Sequence, residues 1–381
     1  MEEIAKELIA FDTVSHKENL ACSEFLADRL DSLGFSVELF KEEIDGQAKA
    51  QILASIGPSV NREGLILSGH MDIVPFEDQP GWTRDPLRYA IEDDKIYGRG
   101  TTDMKYFLAQ CLEASKNIDK KKLKAPLTML FTCDEEICCQ GAKRLIPLLK
   151  ERMKSQPLPS QALIGEPTAF DVFHAHKGVG VFSIKAIGKG GHSSRPDLGL
   201  NAVSEMARLI QCIEEYNLEL SKISNPTNSK LYPDWPYCSI NVGPISGGVA
   251  DNMIPELCSI KVSTRSTTDL TPEMMVAELR SRVDKIGLEA EVSWSELLIA
   301  PALLSSEETP LLKSLLNWNS GVSGGAPFAT DAGCFMELGI DSYICGPGLL
   351  SEAHQPNESM PLENSQKGLE MIEKVIRDLC Y

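Results

Sequence analysis

The stretch Leu65-Ile66-Leu67-Ser68-Gly69-His70-Met71-Asp72 joins an apolar run to two polar side chains that can serve a metal site. The apolar part has the composition of a buried strand. His70 and Asp72 follow this run, and their spacing suits a metal ligand and the carboxylate that orients that ligand. A histidine and an aspartate at this spacing are also common in turns. The stretch therefore predicts a strand that ends at a functional edge, and partners elsewhere must decide the chemistry.

The length of the chain, 381 residues, exceeds what one hydrophobic core normally supports, so we expect two domains. No apolar run approaches the roughly 20 residues that span a bilayer, which predicts a soluble protein with no membrane partner. The segment 1–8 is acidic with helical apolar spacing, and it fits neither a secretory nor a mitochondrial presequence. We therefore expect a cytoplasmic protein.

Charge and cysteine content exclude two further classes of function. The formal net charge of -18 argues against a nucleic-acid partner, because phosphates require clustered lysine and arginine. The cysteines number eleven, an odd count, and several lie in apolar runs, which favours reduced thiols over a disulfide framework. Cys138 and Cys139 are adjacent rather than spaced as CxxC, so a cysteine zinc site is not predicted.

Strand-like runs alternate with helical patterns along much of the chain. Helical periodicity covers 2–11, 18–33 and 107–116, and Gly34 is predicted to end the second of these helices. The alternation predicts an α/β domain with a central, mostly parallel mixed sheet. Strand patterns occur at 36–40, 50–56, 64–68, 127–132, 162–164 and 342–345.

The pattern changes in the middle of the chain. Residues 180–186 alternate between apolar and polar side chains, a helix is predicted after Pro196, and further strands are predicted around 241–242 and 260–262. This pattern predicts an inserted α+β domain.

The predicted domain bounds follow from this change. One domain comprises 1–177 and 294–381, and the inserted domain comprises 178–293. The proline-rich stretch 224–236 lies within the insertion and is predicted to be a loop.

Metal-capable side chains follow several of the predicted strands, and one more ends a glycine-rich segment that leads into a helix. In open α/β sheets, ligands gather at the carboxyl-terminal edge of the strands. We therefore expect these side chains to meet at one edge. The set comprises His70, Asp103, Glu135, Glu136, Glu166 and His354.

Two imidazoles, three carboxylates and a spare glutamate suit zinc, cobalt or manganese. Five ligands are more than one tetrahedral ion can bind, whereas two ions that share a bridging carboxylate use all five and leave room for water. Each residue has an alternative role: Glu135-Glu136 in the first turn of a helix, Asp103 as a helix N-cap, and His354 in a surface loop. The joint spacing favours a binuclear metal centre.

Four segments together resemble a family of dizinc metallopeptidases that includes acetylornithine deacetylase, succinyl-diaminopimelate desuccinylase, aminoacylase and glutamate carboxypeptidase. The resemblance spans nearly the whole chain. It implies a zinc-peptidase-like α/β catalytic domain and an inserted, ferredoxin-like α+β domain that acts as lid and dimerisation domain. The segments are Ser68-Gly69-His70-Met71-Asp72-Ile73-Val74-Pro75, Tyr97-Gly98-Arg99-Gly100-Thr101-Thr102-Asp103-Met104-Lys105, Asp134-Glu135-Glu136 and Gly165-Glu166-Pro167-Thr168.

The resemblance also implies which residues bind the metal ions. His70 and Glu166 would bind one Zn²⁺, Glu136 and His354 would bind the other, and Asp103 would bridge them. Co²⁺ would be able to substitute.

Further roles follow from the same resemblance. Asp72 would orient His70, and Glu135 would be the general base. His192, in Gly190-Gly191-His192-Ser193-Ser194, would polarise the scissile carbonyl, either in its own chain or across a dimer.

Two more residues, Asn252 and Arg265, resemble the family's substrate-anchoring pair, with the arginine clamping a carboxylate. Two alternatives exist on sequence alone. Arg265 could be a surface cation on a strand, and Gly188-Lys189-Gly190-Gly191 could be a phosphate loop, although the GxxxxGK[ST] order is absent.

Within the family, the segments 174–178, 346–348 and 353–358 most resemble acetylornithine deacetylases. This implies hydrolysis of N-acetyl-L-ornithine to L-ornithine and acetate, a step of arginine biosynthesis, by a hydroxide that two zinc ions share, in a homodimer. The segment 326–333 fits this branch loosely, because relatives often carry glutamate near Asp331. Another N-acyl-amino-acid or dipeptide hydrolase of the family is therefore the alternative, and a non-catalytic binding homologue is a remote one.

Overall fold

The computed structural model of the protein describes residues 1–58, 62–319 and 321–381. Its α-helices are α1 (Glu2–Ala10), α2 (Leu20–Ser32), α3 (Lys105–Ser115), α4 (Gln140–Arg152), α5 (Ala202–Leu220), α6 (Pro226–Leu231), α7 (Pro272–Lys285), α8 (Pro310–Asn319), α9 (Ala332–Phe335) and α10 (Glu363–Cys380). Its strands are β1 (Ser36–Ile44), β2 (Gln47–Ile56), β3 (Leu65–His70), β4 (Ala90–Glu92), β5 (Lys95–Tyr97), β6 (Leu127–Thr132), β7 (Gln161–Ile164), β8 (Val172–His176), β9 (Gly178–Ile187), β10 (Gly191–His192), β11 (Ser239–Gly247), β12 (Met253–Ile254), β13 (Leu257–Ser266), β14 (Glu291–Trp294), β15 (Leu298–Ala300), β16 (Leu303–Leu304), β17 (Ser323–Ala326), β18 (Asp341–Ile344) and β19 (Ser359–Pro361).

The chain divides into two compact units. The first unit comprises Met1–Ala175, Leu304–Gly324 and Thr330–Tyr381, and the second comprises His176–Leu303 and Gly325–Ala329. The predicted insertion, 178–293, lies within the second unit. That unit extends further along the chain because β15 pairs with β9 and so adds to the same sheet.

The first unit is built on a sheet of nine strands in the order β1-β2-β6-β3-β7-β18-β8-β16, with β17 paired to β8. The four strands β6, β3, β7 and β18 run parallel to one another. The pairs β1–β2, β2–β6 and β18–β8 are antiparallel. The predicted mixed sheet is therefore present, with parallel strands at its centre and antiparallel pairs outside them. One cause is the turn Asp45-Gly46, whose two positive φ angles suit a tight hairpin between β1 and β2.

The parallel strands are buried on both faces. Every residue of β3 and β6 is buried, as expected for strands covered by helices on each side. Helix α3 is apolar around most of its circumference and is buried along nearly its whole length. Helix α10 packs against α3 and α8. Because the four central strands are parallel, their carboxyl ends lie at one edge of the sheet.

The second unit is a two-layer α+β structure. Its sheet runs in the order β11-β13-β9-β14, with β15 also paired to β9, and all these pairs are antiparallel. Buried and more exposed residues alternate along β9 and β13, which indicates one covered face. Helices α5 and α7 cover that face, with Met206, Leu209 and Met275 among the core residues. The predicted α+β character of the insertion is therefore present.

The predicted loop at 224–236 is wrong in part, because it contains α6. The side chain of Asn225 accepts a hydrogen bond from the backbone N–H of Asn228 at 2.7 Å and caps this helix. Pro226 stands at the first turn, where a missing N–H costs nothing. The asparagine and proline thus mark the start of a helix rather than a continuous loop.

No helix in the described ranges has the length and apolar character needed to cross a membrane. The eleven cysteines, all of them within the described ranges, are free thiols, as the odd count and the apolar surroundings predict.

Candidate metal centre

The five predicted metal ligands meet at the carboxyl-terminal edge of the parallel strands in the first unit. His70 is the last residue of β3, and Glu166 lies two residues after β7. Glu136 and His354 come from the loops after β6 and β18, and Asp103 comes from the loop before α3. The strand-end argument therefore predicts correctly where these side chains gather.

Asp103 lies between the two imidazoles, and each of its carboxylate oxygens faces a different one. Oδ1 lies 3.1 Å from Nε2 of His70, and Oδ2 lies 3.2 Å from Nε2 of His354. Burial alone would raise the pKa of Asp103, but the hydrogen bonds with His354 and His70 lower it well below its usual range. A carboxylate divided in this way suits a bridge between two cations.

The remaining predicted ligands, Glu166 and Glu136, lie one on each side of Asp103. Oε1 of Glu166 lies 4.0 Å from Nε2 of His70, and Oε2 of Glu136 lies 3.1 Å from Nε2 of His354. His70, Asp103 and Glu136 also offer donor atoms that lie within 4.8 Å of one another. This arrangement supplies nitrogen and oxygen donors to two neighbouring positions.

The chemistry of these donors fits divalent cations. Two imidazoles and three carboxylates form a hard-to-borderline set of the kind that zinc, cobalt and manganese accept. Burial and the nearby Asp103 carboxylate raise the pKa of Glu166 well above its ordinary value. Burial and Asp103 also raise the pKa of Glu136. A cation at the site would relieve this repulsion, so the residues fit a metal centre.

Asp72 connects the loop after β3 to the loop after β6. Nδ1 of His70 lies 2.9 Å from the main-chain oxygen of Asp72 and 3.6 Å from its carboxylate. That carboxylate accepts hydrogen bonds from the backbone N–H groups of Glu135 at 3.1 Å and Glu136 at 3.2 Å, and from the hydroxyl of Ser15 at 2.8 Å. Asp72 therefore contacts His70 through its carbonyl, and its carboxylate holds the Glu135-Glu136 backbone.

Glu135 lies beside the His70 and Glu166 side of the centre. The three residues offer atoms within 4.8 Å of one another. Burial and the negative charge of Glu166 raise the pKa of Glu135 well above its ordinary value. The thiol of Cys139 also lies 3.5 Å from Oε1 of Glu135. A carboxylate in this position can act as a proton acceptor next to a metal ion.

Sequence reasoning assigned no catalytic role to two buried carboxylates near the centre. Asp331 lies at the start of α9 and accepts a hydrogen bond from the hydroxyl of Thr132, the last residue of β6, at 2.5 Å. Burial raises the pKa of Asp331 to about 6. Glu358 is fully buried and binds the loop that carries Asp103. The short spacing from His354 to Glu358 is the sequence signal that could have identified the second carboxylate.

The predicted substrate residues lie in the second unit. His192 is on β10 and pairs with Met253 of β12, and the N–H of Ser193 donates to the carbonyl of Asn252 at 3.0 Å. Nδ1 of His192 accepts a hydrogen bond from the N–H of Ser194 at 3.2 Å and lies 2.8 Å from the Ser194 hydroxyl. His192 and Asn252 are thus neighbours, and the imidazole is exposed.

Arg265 lies near the carboxyl end of β13, opposite Ser239 of β11. It lines a cavity of about 350 Å³ within the second unit, together with Lys177, Tyr232 and Trp235. The cavity therefore combines cationic groups with aromatic walls.

Comparison with known proteins identifies the family of the chain. The sequence profile described as peptidase family M20/M25/M40 matches residues 66–378. An acetylornithine deacetylase from Myxococcus xanthus is 32% identical over 380 residues, which cover 98% of this chain and 96% of that protein.

Two solved structures share the fold. A metallo-carboxypeptidase of family M20 from Sulfolobus solfataricus has a TM-score of 0.80 at 19% identity, with 98% of each chain covered. A dinuclear metal-binding peptidase of family M20 from Bacillus subtilis has a TM-score of 0.63 at 13% identity, with 99% of this chain and 97% of that chain covered. The family predicted from the motifs is confirmed. The chain is therefore a metal-dependent hydrolase that belongs to peptidase family M20/M25/M40.

Proposed function

We propose that the protein hydrolyses N-acetyl-L-ornithine to L-ornithine and acetate with two bound divalent ions, and that the ornithine serves arginine biosynthesis. The proposal of two ions rests on one observation. Oδ1 of Asp103 lies 3.1 Å from Nε2 of His70, and Oδ2 lies 3.2 Å from Nε2 of His354. The acetylornithine deacetylase of M. xanthus, similar over its whole length, supports the substrate. The dinuclear metal-binding relative from B. subtilis supports the ion count.

The ligands divide into two sets that share Asp103. His70 and Glu166 would hold one ion, and Glu136 and His354 would hold the other. We infer Zn²⁺ as the metal, with Co²⁺ able to replace it, because both accept imidazole and carboxylate ligands. When bound, such ions act as Lewis acids and lower the pKa of a coordinated water.

Glu135 would move the proton in this reaction. Its carboxylate would take a proton from the attacking water and deliver it to the nitrogen of the leaving amine. Its backbone N–H is held by the Asp72 carboxylate at 3.1 Å, which fixes the start of the side chain. Glu135 would thus act as the base, and the Asp72 carboxylate would hold it in place.

His192 would bind the carbonyl oxygen of the scissile amide. Its Nδ1 accepts an N–H from Ser194 at 3.2 Å, so in the neutral ring the proton lies on Nε2. An exposed Nε2–H is a donor suited to an oxygen that gains negative charge. Asn252 and Arg265 would anchor the substrate, with the guanidinium clamping its carboxylate through two hydrogen bonds.

The second unit would act as lid and dimerisation domain, and the first as the catalytic domain of a cytoplasmic homodimer. The edge strand β11 supports the dimer, since within the described ranges it pairs with β13 on one side and with no strand on the other. Ile245, Val249 and Met253 near this edge are exposed apolar side chains that a second copy would cover.

A substrate panel tests the proposal. We expect the purified enzyme, loaded with Zn²⁺ or Co²⁺, to show its highest kcat/KM with N-acetyl-L-ornithine. The comparison substrates are N-succinyl-diaminopimelate, N-acetylmethionine and dipeptides. Chelator treatment should abolish activity, and added metal should restore it. A higher kcat/KM with any comparison substrate would overturn the substrate assignment.

A further inference from the structure

Glu358 anchors the loop that carries the proposed bridging ligand. Its Oε1 accepts three backbone hydrogen bonds, from Gly100 at 3.0 Å, Thr102 at 2.8 Å and Asp103 at 3.1 Å. Converging N–H groups of this kind form a binding site for an anionic oxygen. Oε2 accepts from Nη1 of Arg99 at 2.8 Å. The backbone of Asp103 is therefore tied to a buried ion pair.

Arg99 connects Glu358 to Gln79 through hydrogen bonds. The residue is only 1% exposed, so its guanidinium must be hydrogen bonded to offset the loss of water. Nη2 donates to Oε1 of Gln79 at 2.6 Å, and the guanidinium lies 5.0 Å from the ring centre of Trp82. Nε1 of Trp82 donates to the same oxygen of Gln79 at 3.1 Å. Two donors thus fix which end of the Gln79 amide faces Arg99.

The other end of the amide reaches a proposed metal ligand. Because Oε1 of Gln79 accepts both donors, its Nε2 points away from them and donates to the carbonyl oxygen of His354 at 2.7 Å. The backbone of His354 has a φ of +60°, in the left-handed region that residues other than glycine rarely adopt. Such a conformation persists only where its surroundings hold it.

We propose that Gln79 is a positioning residue that couples the backbone of His354 to the Asp103 loop, and thereby sets the metal affinity of the subsite that His354, Glu136 and Asp103 form. The inference rests on the proposed two-metal function. The side chain of Gln79 donates to the main-chain oxygen of His354 and not to its imidazole. It acts through one hydrogen bond to the main chain of His354 and through Arg99 and Glu358 to Asp103.

The variant Gln79→Glu removes the Nε2–H donor and keeps an oxygen for Arg99 and Trp82. Gln156→Glu is a matched control, because Oε1 of Gln156 also accepts from an arginine, Arg152, at 2.8 Å, on an exposed surface. Both variants therefore make the same change of charge beside a guanidinium. Only the first removes a bond to a proposed ligand residue.

The experiment is a Co²⁺ titration of the metal-free proteins, followed by calorimetry and visible absorption. We expect two Co²⁺ ions in the wild type and in Gln156→Glu. In Gln79→Glu, one ion should bind about 10- to 100-fold more weakly, and the other should stay within about threefold of wild type. The unfolding temperature of the metal-free protein should match that of Gln156→Glu.

The variant His354→Ala identifies the affected ion. It should lose the same ion that Gln79→Glu weakens, and adding Gln79→Glu to it should leave the affinity of the remaining ion unchanged. Equal weakening of both ions, or unchanged affinities in Gln79→Glu, would overturn the positioning role alone. A wild type that binds fewer than two Co²⁺ ions would contradict the proposed function, and the inference with it.

Discussion

Replacing Glu135 with glutamine separates the two roles that a carboxylate can have beside this centre. The shape of the side chain and the backbone bond from Glu135 to Asp72, at 3.1 Å, are retained in Glu135→Gln. The amide can no longer accept and return a proton. The substitution also removes a negative charge near Glu166, so it relieves repulsion in the ligand set. We therefore expect catalysis to fall while the metal content stays unchanged.

The expected loss in kcat is about 10²- to 10⁴-fold, the usual contribution of a positioned general base. At about 1.4 kcal/mol per tenfold change, this range corresponds to about 2.8 to 5.6 kcal/mol in the activation free energy. Steady-state hydrolysis of N-acetyl-L-ornithine and metal analysis by mass spectrometry measure the two quantities. Glu43→Gln, an exposed change of the same kind on β1, is the control.

Two results would refute this reasoning, each in a different way. A kcat near that of Glu43→Gln would show that Glu135 does not transfer the proton. Loss of one bound ion in Glu135→Gln would show that Glu135 is a metal ligand. Glu135 lies close enough to His70 and Glu166 for that role.

Three further predictions concern metal content and stability. Asp103→Ala should empty at least one metal position, because both imidazoles lose the carboxylate they share; two ions retained per chain by mass spectrometry would contradict the bridge. Gly165→Ala should lower the free energy of unfolding by about 1 to 3 kcal/mol in urea titrations, because the new Cβ would lie 2.0 Å from the ring of Phe107; an unchanged midpoint would count against it. Glu205→Gln should cost about 1 kcal/mol near pH 7, since the carboxylate accepts from the N–H of Glu289 at 2.6 Å. Burial opposes ionisation, but Arg208 and the backbone N–H groups outweigh it and lower the pKa of Glu205 in the folded protein. The stabilisation by the Glu205 carboxylate is therefore complete above the unfolded pKa of about 4.3, and it is lost as the pH falls through the pKa of the folded protein. The difference in free energy of unfolding between the wild type and Glu205→Gln should decrease in acid, and a difference that stays constant would contradict the assignment.

The strands that carry the ligands were predictable because they are buried on both faces. Apolar runs such as 127–132 match β6 residue for residue, and His70 follows its run within the strand itself. Motifs that surround strand ends then predict the ligands, since parallel strands bring their carboxyl ends together. The sequence predicted a mixed sheet but not which strands pair antiparallel, because strand pairing depends on contacts across the sheet that one strand's pattern does not record.

The α6 segment shows a different limit of sequence reasoning. Asparagine followed by proline at Asn225-Pro226 occurs in both loops and helix starts, and a helix of six residues has little periodicity of its own. Its cap, the bond from the N–H of Asn228 to the side chain of Asn225 at 2.7 Å, distinguishes the two structures.

The amino-acid sequence alone determined the α/β class and the family, because these depend on residue type and short spacing, and it predicted which residues would bind the metal ions. Only the tertiary structure decided how the ligands are held. The bond from the N–H of Asp103 to Glu358 joins residues 255 positions apart. The bond from Gln79 to the carbonyl of His354 joins residues 275 positions apart. Buried hydrogen bonds between such distant residues form only when the fold brings them together, so no local pattern announces them.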